Sequence, residues 1–203
     1  MPMRVAMLIG VVVPVSFAES APRPKDADKP LLYLPTTVGD QRVLEVGPKG
    51  KSGEAIEWVK RVEKKGDMVV VYFGREKDGP ALYAYGASAD GVFRISNGGF
   101  VYDPPYRLLK LPAKEGEKWE SVSPAMGGAP KYVFKFTSGT EEEVEVPAGK
   151  FKAIRVEAEE ETNGLVTRTT YWFAVGLGAI KIRTQYKDGE RVQVLKAFTP
   201  GKK

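Results

Sequence analysis

The sequence of 203 residues contains no cysteine and no histidine. Without cysteine there is no disulfide framework and no thiolate nucleophile, and without histidine there is no imidazole base for a catalytic triad. Nearly all zinc sites are excluded as well, because they depend on these two residue types. Acid–base catalysis is left mainly to carboxylates. We therefore assign no catalytic residue, metal or cofactor, and favour a non-enzymatic protein.

The chain also lacks an excess of charge of one sign. It contains 31 Lys and Arg residues and 26 Asp and Glu residues, which gives a net charge of +5. The basic residues are interspersed with glutamate, as in Lys60-Arg61-Val62-Glu63-Lys64-Lys65, whereas nucleic-acid binders gather them on one face or arm. We expect no nucleic-acid partner. The 42% hydrophobic content is that of a chain with a substantial globular core.

Met1 to Ala18 have the layout of a secretory signal peptide. Arg4 supplies the positive start, Val5 to Val15 form the apolar run, and small residues precede a cleavage site after Ala18. A buried strand or a short membrane anchor is the alternative. The run is shorter than the ~20 residues that span a bilayer, so we expect no transmembrane segment in the mature chain. We predict export, to the periplasm or the exterior, with a flexible proline-rich tether over 19–30.

From Leu31 onward, apolar and polar residues mostly alternate with period two, and turn-forming pairs recur at intervals of about eight to twelve residues. In Glu143-Val144-Glu145-Val146 the glutamates lie on one strand face and the valines on the other. Pairs such as Asn97-Gly98 suit tight hairpins. The predicted strands include Tyr132–Phe136, Glu141–Val146 and Leu165–Ala174. The sequence predicts one all-β domain over 31–198, an antiparallel, strongly curved sheet or open β-barrel of about ten to twelve strands. We expect a flexible tail over 199–203.

Residues 54–65 fit two kinds of secondary structure. Apolar residues from Ala55 to Val62 recur at helical spacing, yet Trp58 and Val62 would also share one face of a strand. We predict a strand, because a hairpin with Met68–Phe73 would bury the apolar faces of both segments.

The pattern Leu-Pro-x-x-x-Gly-acid occurs twice, at Leu34–Asp40 and at Leu111–Glu117, each time ahead of a predicted strand. It indicates either a duplicated half of about eighty residues or a recurrent turn that starts a strand after a proline. From the sequence we favour the recurrent turn.

Several phrases of the chain together resemble a group of exported bacterial proteins of unknown function, which share the motifs vPAGxF and YWFApGvGxvK. The resemblance covers most of Leu31–Phe198 and implies an architecture related to the curved sheet of envelope lipoprotein carriers, which by itself implies no function. The chain departs from the pattern at Val175, where proline is more common, and at Gln41–Leu44, which lack the usual tryptophan. The phrases are Ala89-Asp90-Gly91-Val92-Phe93-Arg94, Leu108-Leu109-Lys110-Leu111-Pro112 with Gly116-Glu117-Lys118-Trp119, Val146-Pro147-Ala148-Gly149-Lys150-Phe151, and Tyr171-Trp172-Phe173-Ala174-Val175-Gly176-Leu177-Gly178-Ala179-Ile180-Lys181.

Aromatic side chains are the main candidates for a binding site. Rings on a concave sheet can line an apolar cavity, although the same rings can also simply fill a core. We predict that an apolar small molecule or a segment of an envelope protein binds there; the sequence carries no signal for an oligomeric state. Tyr102 and Tyr106 flank two prolines in a predicted rim loop. The candidate ligand-binding residues are Trp58, Trp119, Tyr171, Trp172, Tyr102 and Tyr106.

Two alternative functions stay open. Glu157 and Glu159 share one strand face, and a glycoside hydrolase needs two carboxylates ~5 to 9.5 Å apart. They could serve a carboxylate-dependent enzyme acting on envelope glycans, but we favour a solvated hairpin edge for Glu157–Glu161. The other alternative is a purely structural interaction module.

Overall fold

A computed structural model describes residues 32–48, 53–123, 132–162 and 165–202. The predicted signal peptide and tether lie outside the described residues. Within the described ranges, no helix is long and apolar enough to cross a membrane.

The predicted all-β fold is confirmed, because every regular element of the described chain is an antiparallel strand of one sheet. Residues 54–65 form a strand and pair with the next one, as predicted. The strands are β1 (Gln41–Pro48), β2 (Gly53–Lys65), β3 (Met68–Gly74), β4 (Tyr83–Ser88), β5 (Gly91–Asn97), β6 (Phe100–Lys110), β7 (Lys118–Ser123), β8 (Tyr132–Val146), β9 (Gly149–Thr162), β10 (Leu165–Ala174), β11 (Gly178–Tyr186) and β12 (Gly189–Thr199).

The sheet runs in the order β6-β5-β4-β3-β2-β1-β12-β11-β10-β9-β8-β7, so β6 and β7 are its two ends. These ends meet through side chains. The Trp119 indole N–H donates to the Arg107 carbonyl at 3.0 Å, and the Lys110 ammonium donates to Glu117 at 2.6 Å. The sheet therefore curls into a nearly closed barrel, and we call the β6–β7 junction the seam.

The two Leu-Pro segments before β1 and β7 adopt the same turn. The Gly39 amide donates to the Val59 carbonyl at 2.9 Å, and the Gly116 amide donates to the Ser138 carbonyl at 2.7 Å. Val59 and Ser138 each return a bond to the residue after the glycine, and each directly precedes a register shift in its strand. These matching bonds, placed alike in two six-stranded halves, favour a duplicated unit over the recurrent turn.

Two hydrophobic clusters form the core, and β9 and β10 pass between them. Ile154 and Phe173 pair across the ladder and belong to the first cluster, whereas the next pair, Ala153 and Ala174, belongs to the second. Both faces of these strands are therefore buried along this stretch. This explains why the end of β10 reads as a nearly continuous apolar run.

Three segments differ from their sequence predictions. The predicted loop Tyr102–Tyr106 is part of β6, since an edge strand tolerates prolines that cannot donate to a ladder. The segments predicted as two strands, 132–136 and 141–146, form the single bent strand β8. In the segment predicted as a flexible tail, the Gly201 amide donates to the Asp40 carboxylate at 2.8 Å.

Candidate functional site

Five rings on β6, β7 and β8 form a continuous row beneath the seam, which we call the aromatic row. The row runs from Tyr102 to Tyr106, Phe134, Phe136 and Trp119, with successive ring centroids 4.9, 4.8, 6.3 and 5.3 Å apart. These separations are those of favourable edge-to-face and offset-stacked pairs. The row therefore connects half-buried Tyr102 at one end of the barrel to the interior of the first cluster.

Arg94 on β5 lies beside this row, directly opposite Tyr106 in the ladder. Its guanidinium sits over the Tyr85 ring at 4.5 Å and near the Tyr83 ring at 5.3 Å, and it donates to the Tyr85 hydroxyl. The Nε of Arg94 is buried and has no hydrogen-bond partner within the described residues. None of the ion pairs in the described ranges includes Arg94. Within the described residues, the Arg94 cation thus contacts aromatic faces and a hydroxyl group and forms no ion pair with a carboxylate.

The tyrosines around Arg94 are held in their neutral form. Burial raises the pKa of Tyr85 and Tyr106 above the ordinary value, although the Arg94 charge acts in the opposite direction on both. Burial likewise raises the pKa of Tyr171. Neutral phenols supply hydrogen bonds but no negative charge, so they do not neutralise the guanidinium.

Exposed apolar side chains concentrate at one end of the barrel. In an antiparallel meander the odd-numbered hairpins, starting with β1–β2, all lie at the same end. Seven of the nine large apolar residues exposed in the described ranges lie at this end; the other two are Val38 and Ile56. Single exposed apolar residues are ordinary, but a concentrated set marks an interaction surface. We call this set the apolar rim: Leu82, Phe100, Val101, Val122, Leu165, Val166 and Tyr186.

A polar cavity of about 490 Å³ lies across β7 to β11. Its charged side chains alternate along the strands with Phe136 and Ala158 of the first cluster, so they point away from the aromatic row. Glu157 and Glu159, the carboxylates of the enzyme alternative, both line it, and each is an ion-pair partner of an arginine. Its other charged lining residues are Lys118, Glu120, Lys135, Arg168 and Arg183.

The structure brings together four of the six predicted ligand-binding residues. Tyr102, Tyr106 and Trp119 belong to the aromatic row. Tyr171 lies in the same cluster and stacks on Phe173 at 5.7 Å.

Two of the predicted residues lie elsewhere. Trp172 belongs to the second cluster, because neighbouring residues of a strand point to opposite faces; its indole N–H donates to Glu142, and Lys181 lies over its ring. Trp58 lies on β2 opposite Gln41 and Gly74 and belongs to neither cluster.

Sequence reasoning missed Arg94. Its signal was present, because Arg94 follows Val92 by two residues and therefore shares the strand face that Val92 buries in the first cluster. A charged residue on a buried strand face needs a compensating partner or a function.

Replacing Trp119 by phenylalanine tests the side-chain closure of the seam. The variant keeps a ring in the aromatic row but removes the donor to the Arg107 carbonyl. We expect the free energy of unfolding, measured by urea denaturation, to fall by about 1 to 2 kcal/mol, since a lost hydrogen bond leaves an acceptor unsatisfied. Trp58→Phe is the matched control, because no indole hydrogen bond of Trp58 occurs within the described residues. Equal losses in the two variants would contradict the assigned closure.

Comparisons with known proteins give a fold and no function. No protein-family profile matches the chain, and no curated protein matches it. A solved structure of a candidate exported protein with a YmcC-like fold from Bacteroides fragilis is 14% identical, with a TM-score of 0.53, and the match covers 83% of this chain and 99% of that one. A candidate lipoprotein from Parabacteroides distasonis is 12% identical, with a TM-score of 0.51, over 85% of this chain and 100% of that one. At these identities the likeness concerns the fold alone.

Proposed function

We propose that this is an exported, non-enzymatic protein that binds an apolar ligand where the aromatic row meets the apolar rim. The observation that carries the proposal is the concentration of exposed apolar side chains at the end of the barrel that the row reaches. Export is supported by the signal-peptide layout of Met1–Ala18 and by the description of one similar fold as an exported protein and of the other as a lipoprotein.

Contact area gives the expected strength of binding. Phe100 and Val101 are each 57% exposed and directly precede Tyr102 in β6. If a ligand removed about 300 Å² of apolar surface from water, at ~25 cal/mol per Å², the gain would be about 7 kcal/mol before the entropy cost of association. We therefore expect affinities in the micromolar to millimolar range for simple apolar ligands.

A small molecule fits this end of the barrel better than an added strand. A partner segment that extends the sheet would have to bond to the backbone of β6, the end strand. Pro104 and Pro105 interrupt that edge because they have no N–H to donate, which is how natural proteins protect strand edges.

Binding of the neutral apolar dye Nile red tests the proposal. We expect the purified protein to bind the dye and Phe100→Asp to weaken the binding about tenfold, because Phe100 shares the strand face of Tyr102 and a charge there replaces an apolar contact. Val38→Asp is the matched control: Val38 is 53% exposed, close to the 57% exposure of Phe100, but it lies outside the rim.

Native mass spectrometry with lipid extraction gives an independent measurement. A bound small molecule of constant mass supports the proposal. A protein that carries none and does not take up the dye would contradict it, as would equal weakening by the two aspartate variants.

A further inference from the structure

We infer that the ligand is a single-chain amphiphile with an anionic head, and that Arg94 binds the head while the chain follows the aromatic row toward the rim. This inference rests on the proposed function, because it specifies the ligand of the same site. Such a ligand has one alkyl chain that ends in either a carboxylate or a phosphate. The test below distinguishes these two head groups.

The first argument is the missing counter-charge. Arg94 is half-buried and its Nε is fully buried, and a guanidinium withdrawn from water is costly unless a carboxylate or another anion compensates it. Within the described residues Arg94 has no ion-pair partner, and the nearby buried carboxylate of Glu57 is paired with Arg42 at 3.2 Å. Contacts with the faces of Tyr83 and Tyr85 compensate only part of the charge. An anion therefore has more to gain at Arg94 than a neutral group.

The second argument is the supply of donors. A guanidinium carries five N–H donors, and the hydrogen bond to the Tyr85 hydroxyl uses one of them. The Nε–H of Arg94 is buried and unpaired within the described ranges, so it can donate to an oxygen of the head. Tyr106, opposite Arg94 in the ladder, places a phenol beside the same position. Hydrogen bonds from a charged donor to an anion are about twice as strong as those between neutral groups.

The third argument is the position of the aromatic row, which lies between Arg94 and the apolar rim. Tyr106 is directly opposite Arg94 and is also a member of the aromatic row, whose outer end is Tyr102. Phe100 of the apolar rim lies two residues before Tyr102 in β6 and therefore on the same strand face. Aromatic side chains thus extend from the position of Arg94 to the exposed end, where an alkyl chain can contact them.

Displacement of Nile red by three ligands of equal chain length tests the inference. The ligands are dodecanoate, dodecyl phosphate and dodecanol. We expect at least one of the two anions to bind about tenfold more tightly than dodecanol, the size of effect that a hydrogen bond to a charged group gives. The better anion identifies the source of the head group.

Variants assign the preference to Arg94. Arg94→Gln should abolish the preference for the anion over dodecanol, whereas Arg94→Lys, which keeps the charge, should retain part of that preference. Arg107→Gln is the matched control, because Arg107 is the next residue after Tyr106 and lies over Phe93, on the opposite face of the same strand pair. Circular dichroism checks that each variant is folded.

The outcomes separate the inference from the proposed function. If the dye and all three ligands fail to bind, the proposed function itself is wrong. If dodecanol binds as well as both anions to the unmodified protein, the ligand site stands and the anionic head is overturned. A preference that survives in Arg94→Gln, or that is lost in Arg107→Gln, overturns the role of Arg94.

Discussion

We expect the protein to unfold cooperatively between about pH 11 and pH 13. Burial raises the pKa of Tyr83, Tyr85, Tyr106 and Tyr171 above the ordinary value of 10.0. Below pH 10 these phenols are protonated in both the folded and the unfolded state, so their contribution to stability is fully present. Above pH 10 the unfolded chain loses the four protons while the folded chain keeps them, and the equilibrium moves toward the unfolded state.

The expected effect is large because four groups act together. Each contributes a loss of about 1.4 kcal/mol per pH unit once the unfolded phenols titrate, so the four together remove on the order of 5 kcal/mol per unit. A total stability of about 5 to 15 kcal/mol would be exhausted within one to three pH units. Absorbance of phenolate at 295 nm and far-ultraviolet circular dichroism, followed in one titration, should change at the same pH.

Tyr171→Phe is a direct check on this account. The variant removes one of the four titrating groups and keeps the ring that stacks on Phe173. We expect a shallower loss of stability with pH and a higher midpoint of unfolding. The account would be contradicted if phenolate absorbance from these tyrosines accumulated near pH 10 while the circular dichroism stayed native.

The fold could be predicted from the sequence because its main signals are local. Period-two alternation and positive-φ turn pairs are readable without tertiary information, and β10 begins and ends where the residue pattern predicts, at Leu165 and Ala174. Strand length was harder to predict. The bend in β8 and the prolines in β6 look like loop signals, yet each segment lies between stretches that pair with β9 or β5, so the strand continues through it.

The site could be predicted only in part, because facing residues come from distant strands. The abundance of aromatic residues indicated a ring-lined surface, but the stacking of Tyr106 on Phe134 depends on β6 meeting β8 near the seam. Tyr171 and Trp172 were both predicted to bind the ligand. Neighbouring residues of β10 point to opposite faces, so only Tyr171 lies on the face of the first cluster, and Trp172 lies in the second. The missing counter-charge of Arg94 depends on several strands at once, which no local pattern reports.

Glu57→Gln should destabilise the protein by about 3 to 5 kcal/mol and lower its Tm by about 10 °C. Glu57 pairs with Arg42 at 3.2 Å, and the two side chains are only 8% and 7% exposed. Removing one charge leaves the other buried without a counter-ion, which costs far more than the pair contributes. Thermal unfolding followed by circular dichroism measures the effect. Glu159→Gln is the matched control, because Glu159 pairs with Arg168 in solvent, where such pairs contribute less than about 1 kcal/mol.

The double variant Arg42→Met, Glu57→Leu separates two roles of this buried pair: mutual compensation of the two charges, and the hydrogen bond from Arg42 to the Ala179 carbonyl. If the pair only has to avoid an uncompensated charge, the double variant should recover most of the stability that Glu57→Gln loses. Arg42 also donates to the Ala179 carbonyl in β11, however, so it connects β1 of the first six-stranded half to the second half. Loss of that bond leaves an acceptor unpaired at the junction, and we expect about 1 to 3 kcal/mol to remain unrecovered. Full recovery would show that the β1–β12 ladder and packing hold the two halves in register without the Arg42 bond.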